Sequence, residues 1–271
     1  MPACIEVIAG QATAPGATFT ALTMNAGNSL TVRNAALNTS VRLLQMWAKH
    51  QAAGVFRIRS PKLHDNVQGI RIRNPASLAI QMLPWDTYQN LVPQDNLIAE
   101  ITGSGVGGQF EEGAALIYYA DLPGQQARLT NVADIQKRGV NIFTVESTIT
   151  PGAAGGYSGA QAINANFDLF KANTDYALLG YRVDTRCCVV RWTGIDVGNL
   201  GVGGPGEPNI SDITEQWFTW LSRWQNLNLI PVFNSANKFG IVTDIMQDQA
   251  AATVVVTSLF VELAPGTIPT S

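Results

Sequence analysis

The sequence is short of charge. Asp, Glu, Lys and Arg make up 14% of its 271 residues, against 46% hydrophobic. A surface that keeps a small domain dissolved normally carries about 25–35% charged residues. The shortfall suits a chain whose surface is largely covered by neighbours. A net charge of −3 argues against binding polyanions through bulk electrostatics. Histidine is nearly missing: His50 and His64 are the two present. A mononuclear metal centre on adjacent strands wants two or three His with a carboxylate, so no metal and no cofactor is expected. The three cysteines, Cys4, Cys187 and Cys188, are odd in number and form no disulfide framework. They read as buried free thiols of a reducing compartment. No apolar run approaches a membrane-spanning length, and MPACIEVIAG lacks the basic and apolar regions of a signal peptide. Assembly in a cytoplasm is the expectation.

Catalytic motifs are equally thin. Gly201–Gly206 satisfies G-x-G-x-x-G, but Pro205 and Pro208 delay any helix, and Asn226 stands where a ribose-binding acid is needed. It reads as a turn-rich loop. Ser60 and His64 lack a nucleophile elbow and a third orienting group. Glu111 and Glu112, with Glu100, offer carboxylates for glycoside hydrolysis, but adjacent glutamates beside a Gly-rich loop read as a solvated loop. No enzyme activity is expected.

What is abundant is turn-forming residue types, with 25 Gly and 13 Pro. Together with short alternating segments they define an all-β chain. The segment Leu43–Ile72 has a faint echo at Leu178–Val202. Leu43-Leu44 answers Leu178-Leu179, Val55-Phe56-Arg57 answers Val189-Val190-Arg191, and Leu83-Pro84 answers Ile230-Pro231. Asp95–Glu100 answers Lys238–Thr243, and Leu116–Leu122 answers Leu259–Leu263. The shared order points to one β-rich module used twice. The division is an N-terminal arm over 1–17, a first module over 18–124, a connector over 125–139, a second module over 140–264, and a tail over 265–271. Strands are predicted at Gly54–Arg59, Gly69–Arg73, Ala76–Leu83 and Asn96–Thr102, whereas Val41–Ala48 fits a short helix or a strand.

The second module has an insertion, Gly203–Asn228, holding the clearest helix, about residues 212–225. Ile213, Trp217, Trp220, Leu221 and Trp224 form one apolar stripe. Trp217, Trp220 and Trp224 either pack on their own module or also meet a neighbouring subunit. Arg57, Arg59, Arg71 and Arg73 are the one concentrated basic feature, on the polar faces of two neighbouring strands. They form a solvated face with acidic partners, a subunit contact or a weak patch towards packaged nucleic acid. Aromatic interleaving of the single-strand-binding type is missing.

Two consecutive β modules in one short chain resemble the double jelly-roll major capsid proteins of tailless icosahedral viruses, including bacteriophages. The resemblance rests on the two-module layout over about residues 18–265, on Leu43-Leu44 with Leu178-Leu179, on Pro84 with Pro231, and on the closing segments Leu116–Leu122 and Leu259–Leu263. It implies two tandem eight-stranded jelly-roll sandwiches with a short amphipathic helix inserted in the second. It implies a virion protein without catalysis: homotrimers of pseudo-hexagonal outline contact neighbouring capsomers and other virion proteins. The packaged genome or an internal membrane would be touched only non-specifically, and no small-molecule substrate is implied. The rival reading is a carbohydrate- or receptor-binding β-sandwich module of a phage fibre or baseplate.

Overall fold

A computed structural model describes residues 3–36, 39–75, 80–247 and 252–269. The first half of the chain forms β1 (Cys4–Thr13), β2 (Thr20–Ala21), β3 (Thr23–Met24), β4 (Val41–Lys49), β5 (Gly54–Arg59), β6 (Ile70–Asn74), β7 (Gln89–Leu91), β8 (Ile98–Ile101) and β9 (Phe110–Tyr119). After β10 (Leu129–Thr130) and helix α1 (Val132–Arg138) come β11 (Gly139–Ile149), β12 (Tyr157–Ala162), β13 (Asp175–Val183), β14 (Cys187–Thr193) and β15 (Val202–Gly206). Helices α2 (Ser211–Thr214) and α3 (Trp217–Gln225) follow, then β16 (Ile230–Asn234), β17 (Val242–Met246) and β18 (Val254–Leu263).

Every strand pair is antiparallel, and the two halves pair alike. In the first half β1 joins β9, β2 joins β8, β4 joins β7 and β5 joins β6. In the second, β11 joins β18, β12 joins β17, β13 joins β16 and β14 joins β15. Each half is thus a nested hairpin rolled into two sheets. The rolls are closed by β4 on β9 with β5 on β8, and by β13 on β18 with β14 on β17. The resulting sheet orders are β3-β1-β9-β4-β7 with β2-β8-β5-β6, and β10-β16-β13-β18-β11 with β12-β17-β14-β15.

The duplication is written into a defect. The β4 register shifts between Leu43 and Gln45, and the β13 register between Leu178 and Gly180. The bulged residues are Leu44 and Leu179, the pair aligned from sequence. A bulge adds a residue to one strand and bends it, so a shared bulge fixes the equivalence of the strands. Leu116 and Leu259 face the residues just after it, Gln45 and Gly180. The proline pairing is displaced. Extending the β13–β16 register places Pro231 opposite Leu178, and its counterpart opposite Leu43 is Gln89, not Pro84.

The four sheets stack. One apolar cluster, with Ile8, Phe56, Ile58 and Ile117, lies inside the first half. The second is the interior of the second half, and it runs on to Ile5, Val7, Leu44, Trp47 and Leu116 of the first. The sheet of β1, β9 and β4 is therefore buried on both faces, and these strands read as continuous buried runs. That resolves Val41–Ala48 as strand.

Several expectations change. The N-terminal arm over 1–17 is mostly β1, which lies between β3 and the central β9 of the middle sheet, with only residues 1–2 outside the described residues. In the connector over 125–139 the spacing of Leu129, Val132 and Ile135 allows a short helix, and α1 forms there beside β10, starting at an Asn131 cap whose side chain accepts the Asp134 amide. Of the predicted strand Ala76–Leu83, 76–79 lie outside the described residues and 80–83 are not strand. In the tail, the Pro269 carbonyl accepts the Asn228 side-chain amide of the body, which ties 265–269 down; 270–271 lie outside the described residues.

The insertion Gly203–Asn228 is built into the sheet and the inter-half contact. It begins inside β15, an edge strand of the second half. The Gly-rich run is extended there because a Cβ at Gly204 would strike the Tyr181 hydroxyl and the Trp217 indole, and one at Gly206 the Cys187 sulfur. The expected turn-rich loop is thus a close-packed strand. The predicted helix splits into α2 and α3, and α3 ends at Asn226 in the left-handed region (φ 51°).

Candidate interaction surface

The two halves carry the same three-residue cluster. In the second half Arg191 of β14 lies opposite Asp244 of β17. The guanidinium grips the carboxylate through Nε (2.8 Å) and Nη2 (2.5 Å), and its carbon sits 3.4 Å from the centre of the Tyr157 ring of β12. In the first half Arg57 of β5 lies opposite Glu100 of β8. Arg57 Nε is 2.7 Å from Glu100, and the guanidinium carbon is 3.7 Å from the centre of the Phe19 ring, just before β2. An aromatic ring, an arginine and a carboxylate therefore recur on the same three strands. Bidentate Arg–carboxylate geometry and stacking on a ring are what a planar guanidinium offers.

Their surroundings differ. The Arg191 and Asp244 side chains are 14% and 8% exposed, under the first half. Burial works against the Arg191 charge, but the Asp244 carboxylate holds it protonated, and its pKa rises above the ordinary value. Burial also pushes the Tyr157 hydroxyl far above the usual phenol range. Contacts seal the region: the Val7 amide donates to the Gly201 carbonyl (2.8 Å), and Trp47 Nε1 donates to the Cys188 carbonyl (2.7 Å). The first-half cluster instead lies on an outer sheet face. Arg59 also binds Glu100, through Nε (2.9 Å) and Nη2 (3.2 Å). Those hydrogen bonds from Arg59, then those from Arg57, hold the Glu100 carboxyl below its usual range. Arg71, in register with Arg57, has its guanidinium 5.6 Å from the Phe19 ring. Arg71 and Arg73 are exposed.

The four arginines chosen from sequence thus share one face, with Arg57 and Arg59 half-buried on one glutamate. The partners Phe19 and Tyr157 escaped notice because β2 is two residues long and shows no periodicity. The equivalence of Glu100 with Asp244 was missed by one residue, since Glu100 was aligned with Thr243.

The tryptophans divide. Trp217 is fully buried, so it meets no neighbouring subunit; its indole donates to the Gly203 carbonyl (3.0 Å). It makes edge contacts with Trp47 (5.8 Å) and Trp85 (5.1 Å) of the first half. Trp220 is half-buried against Trp85 (5.7 Å), and Trp224 is 56% exposed. Gln225 donates to the Trp85 and Thr87 carbonyls (2.6 and 3.0 Å). Helix α3 is thus a clamp between the halves.

The carboxylates considered for catalysis are built into β9. Glu111 accepts the Gln51 and Ser104 amides (2.8 and 2.6 Å), and Glu112 lies 3.9 Å from the Lys49 ammonium. Both are fully buried, which corrects the solvated-loop expectation. Among the described residues no group of three His, Cys, Asp or Glu side chains is arranged to hold a metal, and no helix is long and apolar enough to cross a membrane. All three cysteines are buried and free.

No protein-family model matches the chain, and a search of curated proteins finds no match. Among solved structures the chain is similar to the crystal structure of PBSX exported protein XepA, at 8% identity and a TM-score of 0.28, over 95% of this chain and 86% of that one. A superposition that loose carries no argument.

Proposed function

We propose that the protein is a structural virion subunit: a double jelly-roll major capsid protein whose homotrimers tile an icosahedral shell around a genome. The observation that carries the reading is the nested pairing, first strand with eighth, second with seventh, third with sixth and fourth with fifth, in both halves. We read that order as a jelly roll, a fold of viral capsid and lectin domains. The shared bulge at Leu44 and Leu179 supports descent of the two sandwiches from one. The low charge fits a surface destined for subunit contacts. In this reading Glu111 and Glu112 are structural, as amide acceptor and ion-pair member, and the chain carries no catalysis.

The test is native mass by light scattering after size exclusion, followed by electron microscopy of the same fraction. A species of three 29.0 kDa chains, or closed particles, is expected. A monomer at every concentration, with no particles when the other virion proteins are supplied, overturns the reading. Glycan binding by that monomer would establish the receptor-binding alternative.

A further inference from the structure

The chain already contains one example of how its two modules dock, and each half of that contact has an unused counterpart. The outer face of β12-β17-β14-β15, with its Tyr157–Arg191–Asp244 cluster, covers the sheet of β1, β9 and β4. The corresponding face of the first half is β2-β8-β5-β6, with its Phe19–Arg57–Glu100 cluster, and no part of the described chain covers it. The sheet corresponding to the covered one is β10-β16-β13-β18-β11. There β11 is the edge strand, paired only with β18 among the described residues.

The two edges differ sharply. The free edge of β1 is sealed: the Val7 amide binds Gly201, the Ala9 amide binds Asn28 Oδ1 (2.9 Å), and β3 pairs at Gly10 and Gln11. Along β11, Thr148 donates to Gln161 Oε1 (2.7 Å). Alternation along an antiparallel strand then points the amides of Glu146, Thr144 and Ile142 outward too. Nearby, Val140 and Ile142 are 55% and 68% exposed. A long edge with apolar side chains is a template that solitary proteins protect.

Register identifies the equivalent atoms. Val7 lies opposite Leu116 and Thr144 opposite Leu259, so Thr144 is the counterpart of Val7. Arg191 pairs with Gly203 and Arg57 with Arg71, so two residues earlier Gly69 is the counterpart of Gly201.

We propose, resting on the capsid reading, that the exposed first-half face docks on the β11 side of the second half of another copy. The Thr144 amide of one chain donates to the Gly69 carbonyl of the next, and Arg71 and Arg73 face Glu146, the one carboxylate of β11. The contact is heterologous: each chain offers two different faces, so copies add head to tail and close into a ring when the rotation permits. Three chains then present six modules joined by one repeated type of contact, alternately within and between chains.

Two variants of the full chain test this. Gln68→Cys with Thr144→Cys puts thiols beside the proposed contact, while the native cysteines stay buried. Under mild oxidation a non-reducing gel should show a ladder ending at three chains, with no such ladder from either single variant. Thr144→Pro removes the donor at an edge position, where proline is tolerated. It should keep the circular dichroism and melting temperature of the parent. It should also raise the concentration at which trimers form by about tenfold, the equivalent of one hydrogen bond. Trimers or particles that form without cross-links, and as readily with proline, overturn this docking and leave the capsid reading intact. So does an arginine face that holds nucleic acid in a salt-dependent manner while other faces assemble. A chain that never associates overturns both.

Discussion

The Arg57 and Arg191 clusters are one arrangement in two settings. Arg191 lies under the neighbouring half with a single carboxylate and a half-buried tyrosine ring. Arg57 shares Glu100 with Arg59 and lies beside exposed Arg71 and Arg73. The two pairs are about equally shielded, Arg57 and Glu100 at 13% each against 14% and 8% for Arg191 and Asp244; what differs is the neighbourhood, the other half beside Arg191 and two exposed arginines beside Arg57. Loss of Arg191 leaves Asp244 charged and shielded without the arginine that grips it, whereas loss of Arg57 leaves Glu100 still held by Arg59. The Arg191 copy is therefore expected to matter more to stability, and the Arg57 copy is the one offered to association in the docking proposed above.

The comparison can be broken most severely where the halves are clamped. Trp217→Ala removes a fully buried indole that touches Trp47 and Trp85, and a loss of about 3–5 kcal/mol of unfolding free energy is expected in denaturant titrations. Separate transitions for the two halves would accompany it if the clamp is what couples them. Next, Arg191→Ala should cost about 3 kcal/mol, because Asp244 stays buried and unpaired. If Arg191→Ala and Arg57→Ala prove equally mild, the covered setting is not what distinguishes them. Acid separates the halves in another way, since both histidines lie in the first. Burial, opposed by a hydrogen bond with Thr102, pushes His50 down to about 4 from 6.5. The unfolded chain then binds a proton between those values that the folded chain does not. Stability should fall as pH drops from about 6.5 to about 4, by about 3 kcal/mol at 1.36 kcal/mol per unit. His50→Asn should flatten that slope in pH-dependent melts. At the small end, Arg57→Ala should cost the isolated chain about 1 kcal/mol, with Arg59 still on Glu100, and Arg73→Gln less than about 0.5 kcal/mol by the same melts.

Much of this was legible in the sequence because it is local. The alternation of Gly54–Arg59 gave the face of Arg57 and Arg59 and the burial of Phe56 and Ile58. Leu43-Leu44 against Leu178-Leu179 aligned the two strands at the residues where both registers shift, though the shift itself is visible only in the pairing. What stayed hidden depends on partners distant in the chain. β1 shows no alternation because both its faces are covered, so Cys4–Thr13 looked like an arm. Glu111 and Glu112 looked solvated because the amides and ammonium that receive them come from 49–51 and 104. The Gly-rich run at 201–206 looked like a loop because its tight neighbours, Tyr181, Cys187 and Trp217, lie on other elements.

The doubly buried middle sheet also governs the order in which a growing chain can mature. β1 is made well before its main partner: apart from the two-residue pairing with β3, its ladder waits for β9, about a hundred residues later. Even then the outward face of that sheet, with Val7, Leu44 and Trp47, has no cover until β14 and β15 emerge. Long-range pairing of this kind is slow and leaves apolar surface exposed meanwhile. Chains halted after the first module would leave that face open and prone to aggregate until the second module covers it.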